Sequence, residues 1–168
     1  MTENWQDVPG WEGFYAVSDT GRVKALARSV PGRPGVFINR RERQLTISTT
    51  DDGYRRVWLS RDNKRTEFKV HQLVALAFIG PRPEGMEVCH NDGDKANNTP
   101  ANLRYGTRSE NTLDRVQHGT HMWARKTHCP QDHPYDLANT YVTPSGSRTC
   151  RKCRAEHKRT ARANRKAA

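Results

Sequence analysis

No stretch of this 168-residue chain approaches the roughly 18 consecutive apolar residues of a membrane-spanning helix, so the pattern excludes one. The start, MTENWQDVPGW, is acidic and polar and lacks a signal-peptide pattern; cytoplasmic residence is the expectation. Apolar residues are scarce at 33%, which allows only a lean core within one or two small domains. Full disorder is excluded as well, because Trp, Tyr and Phe recur through the first two-thirds beside clear periodic runs. Cysteine is limited to four residues, with Cys129, Cys150 and Cys153 late and Cys89 alone mid-chain. A late group beside histidines suggests a metal before a disulfide. No separate dimerisation heptad is present, which favours a monomer and leaves a dimer open.

Acidic residues are also short, 18 against 29 Lys and Arg, giving a net charge of +11. The basic residues form blocks: RSVPGRPGVFINRRER, RRVWLSRDNKR and RKCRAEHKRTARANRK. Like charges repel, so such a surplus adds little to folding stability. Its field favours a polyanionic partner, nucleic acid ahead of a merely solubilising surface.

The first third reads as short strands and turns. Residues 14–18 and 22–27 flank Asp19-Thr20-Gly21, a hairpin turn with Gly at positive φ. Residues 28–43, with two Pro-Gly pairs and several arginines, read as a mobile basic loop. Strands are expected over 44–49, 54–60 and 66–70. Hairpins with arginines on one face can enter a major groove, although an ordinary half-buried sheet has the same pattern. Val70, Leu73, Val74, Ala77 and Phe78 recur at helical spacing, predicting a helix over 70–78 that Gly80-Pro81-Arg82-Pro83 stops. A strand over 86–89, a polar loop over 91–98, a turn at Thr99-Pro100 and a second strand over 103–105 follow. Thr107-Arg108-Ser109-Glu110 is a capping box that should start a helix running to about Gln117. Residues 119–126 read as a linker.

The run Val88-Cys89-His90-Asn91-Asp92-Gly93-Asp94-Lys95-Ala96-Asn97-Asn98, then Asn102-Leu103-Arg104 and Glu110-Asn111, resembles the HNH endonuclease motif of phage and intron-borne homing endonucleases. DVPGWEGFYAVSDTGRVKAL is similar to the NUMOD4-like module that often precedes that domain, and VHQLVALAF to its lead-in helix. The resemblance implies an α+β fold: an N-terminal β-hairpin region, a central ββα-metal nuclease motif of the His-Me finger type, and a small C-terminal module. It implies His90 as the general base that activates water, Asn102 as the middle Asn orienting the loop and, through a hydrogen bond, His90, and Asn111 with the residue before His90 as ligands of one divalent metal, Mg2+ or Mn2+. Those roles suit the residue types. An imidazole accepts a proton near neutrality, and an amide oxygen is a hard ligand without charge. One position departs from the pattern, since the family often has Asp where Cys89 stands. A thiolate prefers soft metals. Either Cys89 is structural, with Asp92, Asp94 or water assisting, or it selects a softer ion such as Mn2+, Co2+ or Zn2+, or the enzyme is weakened. His71 opens the lead-in helix and is as well explained by packing as by DNA contact.

Cys129 and His133, followed by Cys150 and Cys153, offer two half-sites for a structural Zn2+, the second a Cys-x2-Cys pair. His128 and, less directly, His157 are rivals to His133. A region this polar cannot build an apolar core, so bound zinc would supply much of its folding energy. The residues after Cys153 read as a basic helix suited to phosphate contacts. Residues expected to contact DNA are Arg40, Arg41, Arg43, Arg55, Arg56, Arg104, Arg108, Arg151, Lys152, Arg154, Lys158 and Arg159. The expected organisation is a β-rich DNA-binding module over 1–69, a nuclease domain over 70–120, a linker over 121–127 and a zinc-binding module with basic helix over 128–168. The function expected is cleavage of double-stranded DNA. The alternatives are a non-catalytic DNA-binding protein on a degenerate scaffold and an RNA-binding or structural zinc protein.

Overall fold

The structure, a computed structural model, describes residues 2–144 and 146–167 and divides into two compact units, up to His118 and from Gly119 onward. The fold is mixed α and β, with a β-rich N-terminal region, a central ββα element and a C-terminal Cys/His cluster followed by a basic helix.

In the first unit β1 (Trp5–Asp7), β2 (Tyr15–Ser18), β3 (Val23–Ala25), β4 (Arg28–Pro31), β5 (Phe37–Arg40), β6 (Arg43–Gln44), β7 (Ser48–Thr49), β8 (Arg55–Arg61) and β9 (Lys64–Lys69) precede helix α1 (Val70–Phe78). Strands β1, β2, β3 and β6 form one antiparallel sheet, and β7, β8 and β9 a second. The β8–β9 turn places Asp62 and Asn63 both at positive φ (52° and 59°), the backbone that a two-residue hairpin requires and that Asp and Asn tolerate. Alternation along β8 sorts its side chains: Val57 and Leu59 are fully buried, while Trp58 between them is 39% exposed. The Tyr15 hydroxyl ties the two sheets together, donating to the Ser60 carbonyl and accepting from the Ser60 N–H, each at 2.9 Å.

The apolar face of α1 closes this core. Val70, Leu73 and Val74 are buried against Val17, Val57 and Leu59 in one cluster that also takes in Leu103 from further along the chain. The helix ends where Gly80 turns to φ 115° and Pro81 follows. Beyond it β10 (Met86–His90) pairs antiparallel with β11 (Leu103–Thr107), and α2 (Arg108–Gln117) completes the unit.

Two expectations need correction. Residues 28–43 are not a loop: β4 and β5 pair, Arg28 opposite Arg40 and Pro31 opposite Phe37, around a turn in which Gly32 N–H donates to the Val36 carbonyl at 2.9 Å. The Pro-Gly pairs lie at the hairpin end, and the two-period is masked because every residue of β5 is exposed, Phe37 by 73%. The strand expected over 44–49 is split, since the chain leaves β3 after Gln44 and joins β8 at Ser48.

In the second unit β12 (Thr140–Val142) pairs with β13 (Arg148–Cys150), which runs directly into α3 (Arg151–Ala167). Among the described residues no helix is long and apolar enough to cross a membrane.

The register of β8 is testable by denaturant unfolding. Leu59→Ala should cost about 2–4 kcal/mol, whereas Trp58→Ala, one residue away, should cost under about 1 kcal/mol; equal losses would contradict this facing.

Candidate active site

The capping box starts α2 as its sequence requires. The Thr107 hydroxyl accepts from Glu110 N–H at 3.2 Å, and the Glu110 carboxylate accepts from Thr107 N–H at 2.7 Å. This fixes Asn111, one residue on, beside the β10–β11 hairpin. Pairing of Glu87 with Gly106 and of Cys89 with Arg104 puts those residues on the hairpin face beneath α2. Val88, His90, Leu103 and Tyr105 point the other way, where Val88, Leu103 and Tyr105 join the core with α1.

His90 ends β10 and is 8% exposed. Its Nε2 lies 3.0 Å from Asn98 Oδ1. The partner is therefore Asn98, itself 2% exposed, and not Asn102 as the family resemblance had suggested. Asn102 instead braces the loop: its Oδ1 accepts from Asp92 N–H at 3.1 Å, and its Nδ2 donates to Asp92 Oδ1 at 2.9 Å and to the Asn97 carbonyl at 2.8 Å. Asp92 also accepts from the Asn97 side chain and the Asp94 N–H, and these bonds hold its carboxyl below the usual range. Both Asp92 oxygens are thus engaged in shaping the loop. Gly93 has φ 76°, and a Cβ there would sit 2.6 Å from His118 Nδ1, so only glycine fits. His118 in turn faces the Asn91 carbonyl at 3.0 Å through Nε2.

Two aromatic neighbours back His90. The His71 ring meets it edge-on with centroids 5.1 Å apart, and Tyr54 lies 4.9 Å from His71 and 6.1 Å from His90. Lys69 and Lys95 stand over the Tyr54 ring at 4.2 and 4.5 Å, bringing positive charge beside this cluster. Nothing in the sequence marked Asn98 or Tyr54, because a polar loop residue and a strand aromatic acquire a partner only in three dimensions.

On the other hairpin face, Asn111 Nδ2 donates to Glu87 Oε2 at 2.6 Å. Arg104 pairs with Asp114 of α2. Cys89 is buried beside them; its thiol approaches only the Glu87 carbonyl, at 3.9 Å, and burial raises its pKa above the usual value.

In the second unit Cys129, His133, Cys150 and Cys153 bring their ligand atoms within 4.8 Å of one another. The Cys129–Cys153 sulfurs are 3.6 Å apart, and His133 Nδ1 lies 3.6, 3.7 and 3.4 Å from the Cys129, Cys150 and Cys153 sulfurs. A tetrahedron with Zn–S of about 2.3 Å and Zn–N of about 2.0 Å has edges of roughly 3.5–3.8 Å, so these four separations are compatible with zinc. His133 is the histidine that converges; His128 Nδ1 turns to the Thr127 hydroxyl, and His157 lies exposed along α3. Buried Asn139, unmarked in the sequence, donates to Cys150 Sγ at 3.3 Å and accepts from Lys152 N–H at 3.1 Å.

The basic residues divide into exposed and engaged ones. Arg40, Arg41, Arg43, Arg55 and Arg108 are exposed, as are Arg151, Lys152, Arg154, Lys158 and Arg159 on α3. Arg56 pairs with Glu67 at 2.9 Å, and Arg104 is taken up by Asp114. An open groove of about 1020 Å³ in the first unit is lined by Arg28, Arg40, Arg41, Arg43 and Arg61.

A strand ending in histidine, a braced polar loop, a returning strand and a capped helix carrying asparagine define a ββα nuclease-type site. Residues 68–113 match the HNH endonuclease family and residues 3–60 the NUMOD4 motif. Over these matched segments the chain is of the HNH endonuclease family, in the phage and homing-endonuclease branch with an N-terminal NUMOD4 module. It is 35% identical over 116 residues to DNA endonuclease I-HmuI of Bacillus phage SP01, covering 69% of this chain and 59% of that one. It is 27% identical over 142 residues to an uncharacterized HNH endonuclease of Acanthamoeba polyphaga mimivirus, covering 84% of this chain and 37% of the relative. The solved structure of the HNH homing endonuclease I-HmuI superposes with a TM-score of 0.57 at 28% identity, over 92% of this chain and 82% of that one. The chain thus spans less than two-thirds of the length of these curated relatives.

His71 gives the first unit a signature in pH. Burial, and then the neighbouring His90 and Lys69, lower its pKa from 6.5 to about 3, so it is neutral when folded. An unfolded chain takes up that proton as pH falls through 6.5, so stability is complete above that value and lost progressively toward pH 3. Between about pH 7.5 and about pH 5, wild type should lose on the order of 2 kcal/mol more than His71→Leu in urea unfolding. Parallel pH profiles for the two proteins would rule the assignment out.

Proposed function

We propose that this protein is a metal-dependent endonuclease that hydrolyses phosphodiester bonds in duplex DNA, with His90 as its general base. The observation that carries this reading is His90 at the end of β10, its Nε2 held by Asn98 over a loop braced by Asn102, inside the segment that matches the HNH family. The likeness to I-HmuI, a DNA endonuclease, supports the substrate class. In this reading residues 1–69 form a β-rich DNA-binding module, 70–120 the nuclease domain, 121–127 a linker and 128–168 a zinc-stabilised module with a basic helix. The setting is the cytoplasm of a cell that carries the phage or mobile element.

The Asn98 contact leaves the other ring nitrogen, Nδ1, to take a proton from water. The water oxygen then bonds to phosphorus, the 3′-oxygen departs and takes a proton from solvent, and a 5′-phosphate and a 3′-hydroxyl result. A divalent cation such as Mg2+ or Mn2+, when bound, supplies neutralisation of charge on the phosphate and the leaving oxygen. Asn111 fits such an ion through its amide oxygen, whereas the buried neutral thiol of Cys89 does not. Cys129, His133, Cys150 and Cys153 would hold a structural Zn2+ with no open position for chemistry. The exposed arginines of β5, β6 and β8, with Arg108, and separately those of α3, suit phosphate contacts that raise affinity without reading bases.

Cys89 at a ligand position favours one second reading, a DNA-binding protein that no longer cuts. Plasmid nicking separates the two. Wild type should cut supercoiled plasmid with Mg2+ or Mn2+ and stop with chelator, while His90→Ala should be slower by at least about 100-fold. Asn98→Ala should fold normally and cut about 10–100-fold more slowly, since it loosens His90 without removing it. DNA binding without cutting in any metal, on plasmids that include a cognate site, would select the second reading.

The zinc assignment has its own check. Purified protein should contain about one equivalent of zinc, and Cys150→Ser should lose it together with protease resistance after Gly119. Full resistance in a zinc-free preparation would remove the metal from the account.

A further inference from the structure

We infer that Glu87, not Cys89, supplies the anionic oxygen ligand that works with Asn111 in holding the divalent cation of the nuclease site; this rests on the nuclease reading above.

Glu87 and Cys89 stand two residues apart on β10 and therefore share the face that α2 covers. The cross-strand partner of Glu87 is Gly106, which has no side chain of its own on that rung; a Cβ there would come within 2.5 Å of Arg104 Nη1, 3.2 Å of Cys89 Sγ and 3.4 Å of Glu110 Oε2. On the same face the Glu87 and Asn111 side chains meet at 2.6 Å. Rotating the Asn111 amide exchanges its N–H for its oxygen, and a carboxylate and an amide oxygen then converge on one point. That is a hard donor pair suited to Mg2+ or Mn2+. Both residues are only half-buried, so phosphate oxygens and water can complete the shell.

The competing acids are already committed. Asp92 is bound up in its loop, and Asp94 accepts from Ala96 N–H at 2.8 Å. Arg104, the cation on the same face, is paired with Asp114, and among the described residues no ion pair reaches Glu87. Its charge is therefore left for a cation. Cys89, 1% exposed, fills the position as packing. An acid two residues earlier, on a longer side chain, takes over the charge that the family pattern places immediately before the histidine.

Calorimetric titration of Mn2+ into the zinc-loaded 168-residue chain without DNA tests this directly, with plasmid nicking run beside it. Glu87→Gln keeps an acceptor for Asn111, so the fold is retained while the charge is lost, and Mn2+ affinity should fall at least about tenfold. Cys89→Ser and His90→Ala should stay within about twofold of wild type, because neither would ligate. The inference is overturned if Cys89→Ser loses Mn2+ while Glu87→Gln keeps it, or if wild type takes up no Mn2+. Wild type that cuts plasmid, with Glu87→Gln unchanged in both affinity and cutting, removes Glu87 and leaves the nuclease reading intact. Mn2+ binding that depends on Glu87 in a protein that never cuts supports the site and removes the nuclease reading alone.

Discussion

The antiparallel pairing of β10 with β11 is the constraint on which the larger unit depends, because its register divides the chemistry between two faces. One face sends Val88, Leu103 and Tyr105 into the core with α1, and His90 with them. The other presents Glu87, Cys89 and Arg104 to α2. A slip of one residue would exchange every one of these side chains. Burial of Leu103 and the capping box at Thr107 hold the register from its two ends.

Around that hairpin the unit uses polar bonds where apolar surface is lacking. The loop of residues 91–98 carries little hydrophobic surface, and its shape comes from Asp92, Asn97 and Asn102 bonding to one another and to the backbone. Such a network is rigid only when each member is satisfied. Here it brings Asn98 to the imidazole of His90. His71 presses on the same ring from α1, and its burial keeps it uncharged.

The smaller unit solves the same shortage differently. Its two-stranded sheet and α3 have almost no apolar core, and what converges at its centre is four ligand atoms. Burial and the neighbouring thiols raise the pKa of Cys153, while the backbone of Cys153 and the side chain of Asn139, working against burial, lower that of Cys150. A divalent cation, if bound there, would resolve that competition for protons by replacing them. The surplus positive charge on α3 remains exposed.

Local sequence determined the parts whose signals are local. The period of Val70, Leu73 and Val74 fixed α1, the Thr107–Glu110 box fixed the start of α2, and the spacing of Cys150 and Cys153 marked a ligand pair. The family resemblance also pointed to His90 and Asn111 before any geometry was available. Tertiary structure alone decided which groups these residues meet. Asn98 rather than Asn102 holds His90, Glu87 rather than Cys89 touches Asn111, and His133 rather than His128 joins the thiols. It also turned the Pro-Gly segment after Arg28 into a hairpin. The physical reason is common to all four. Periodicity and capping depend on neighbours a few residues away, whereas each of these contacts depends on register and loop path, which the whole fold sets.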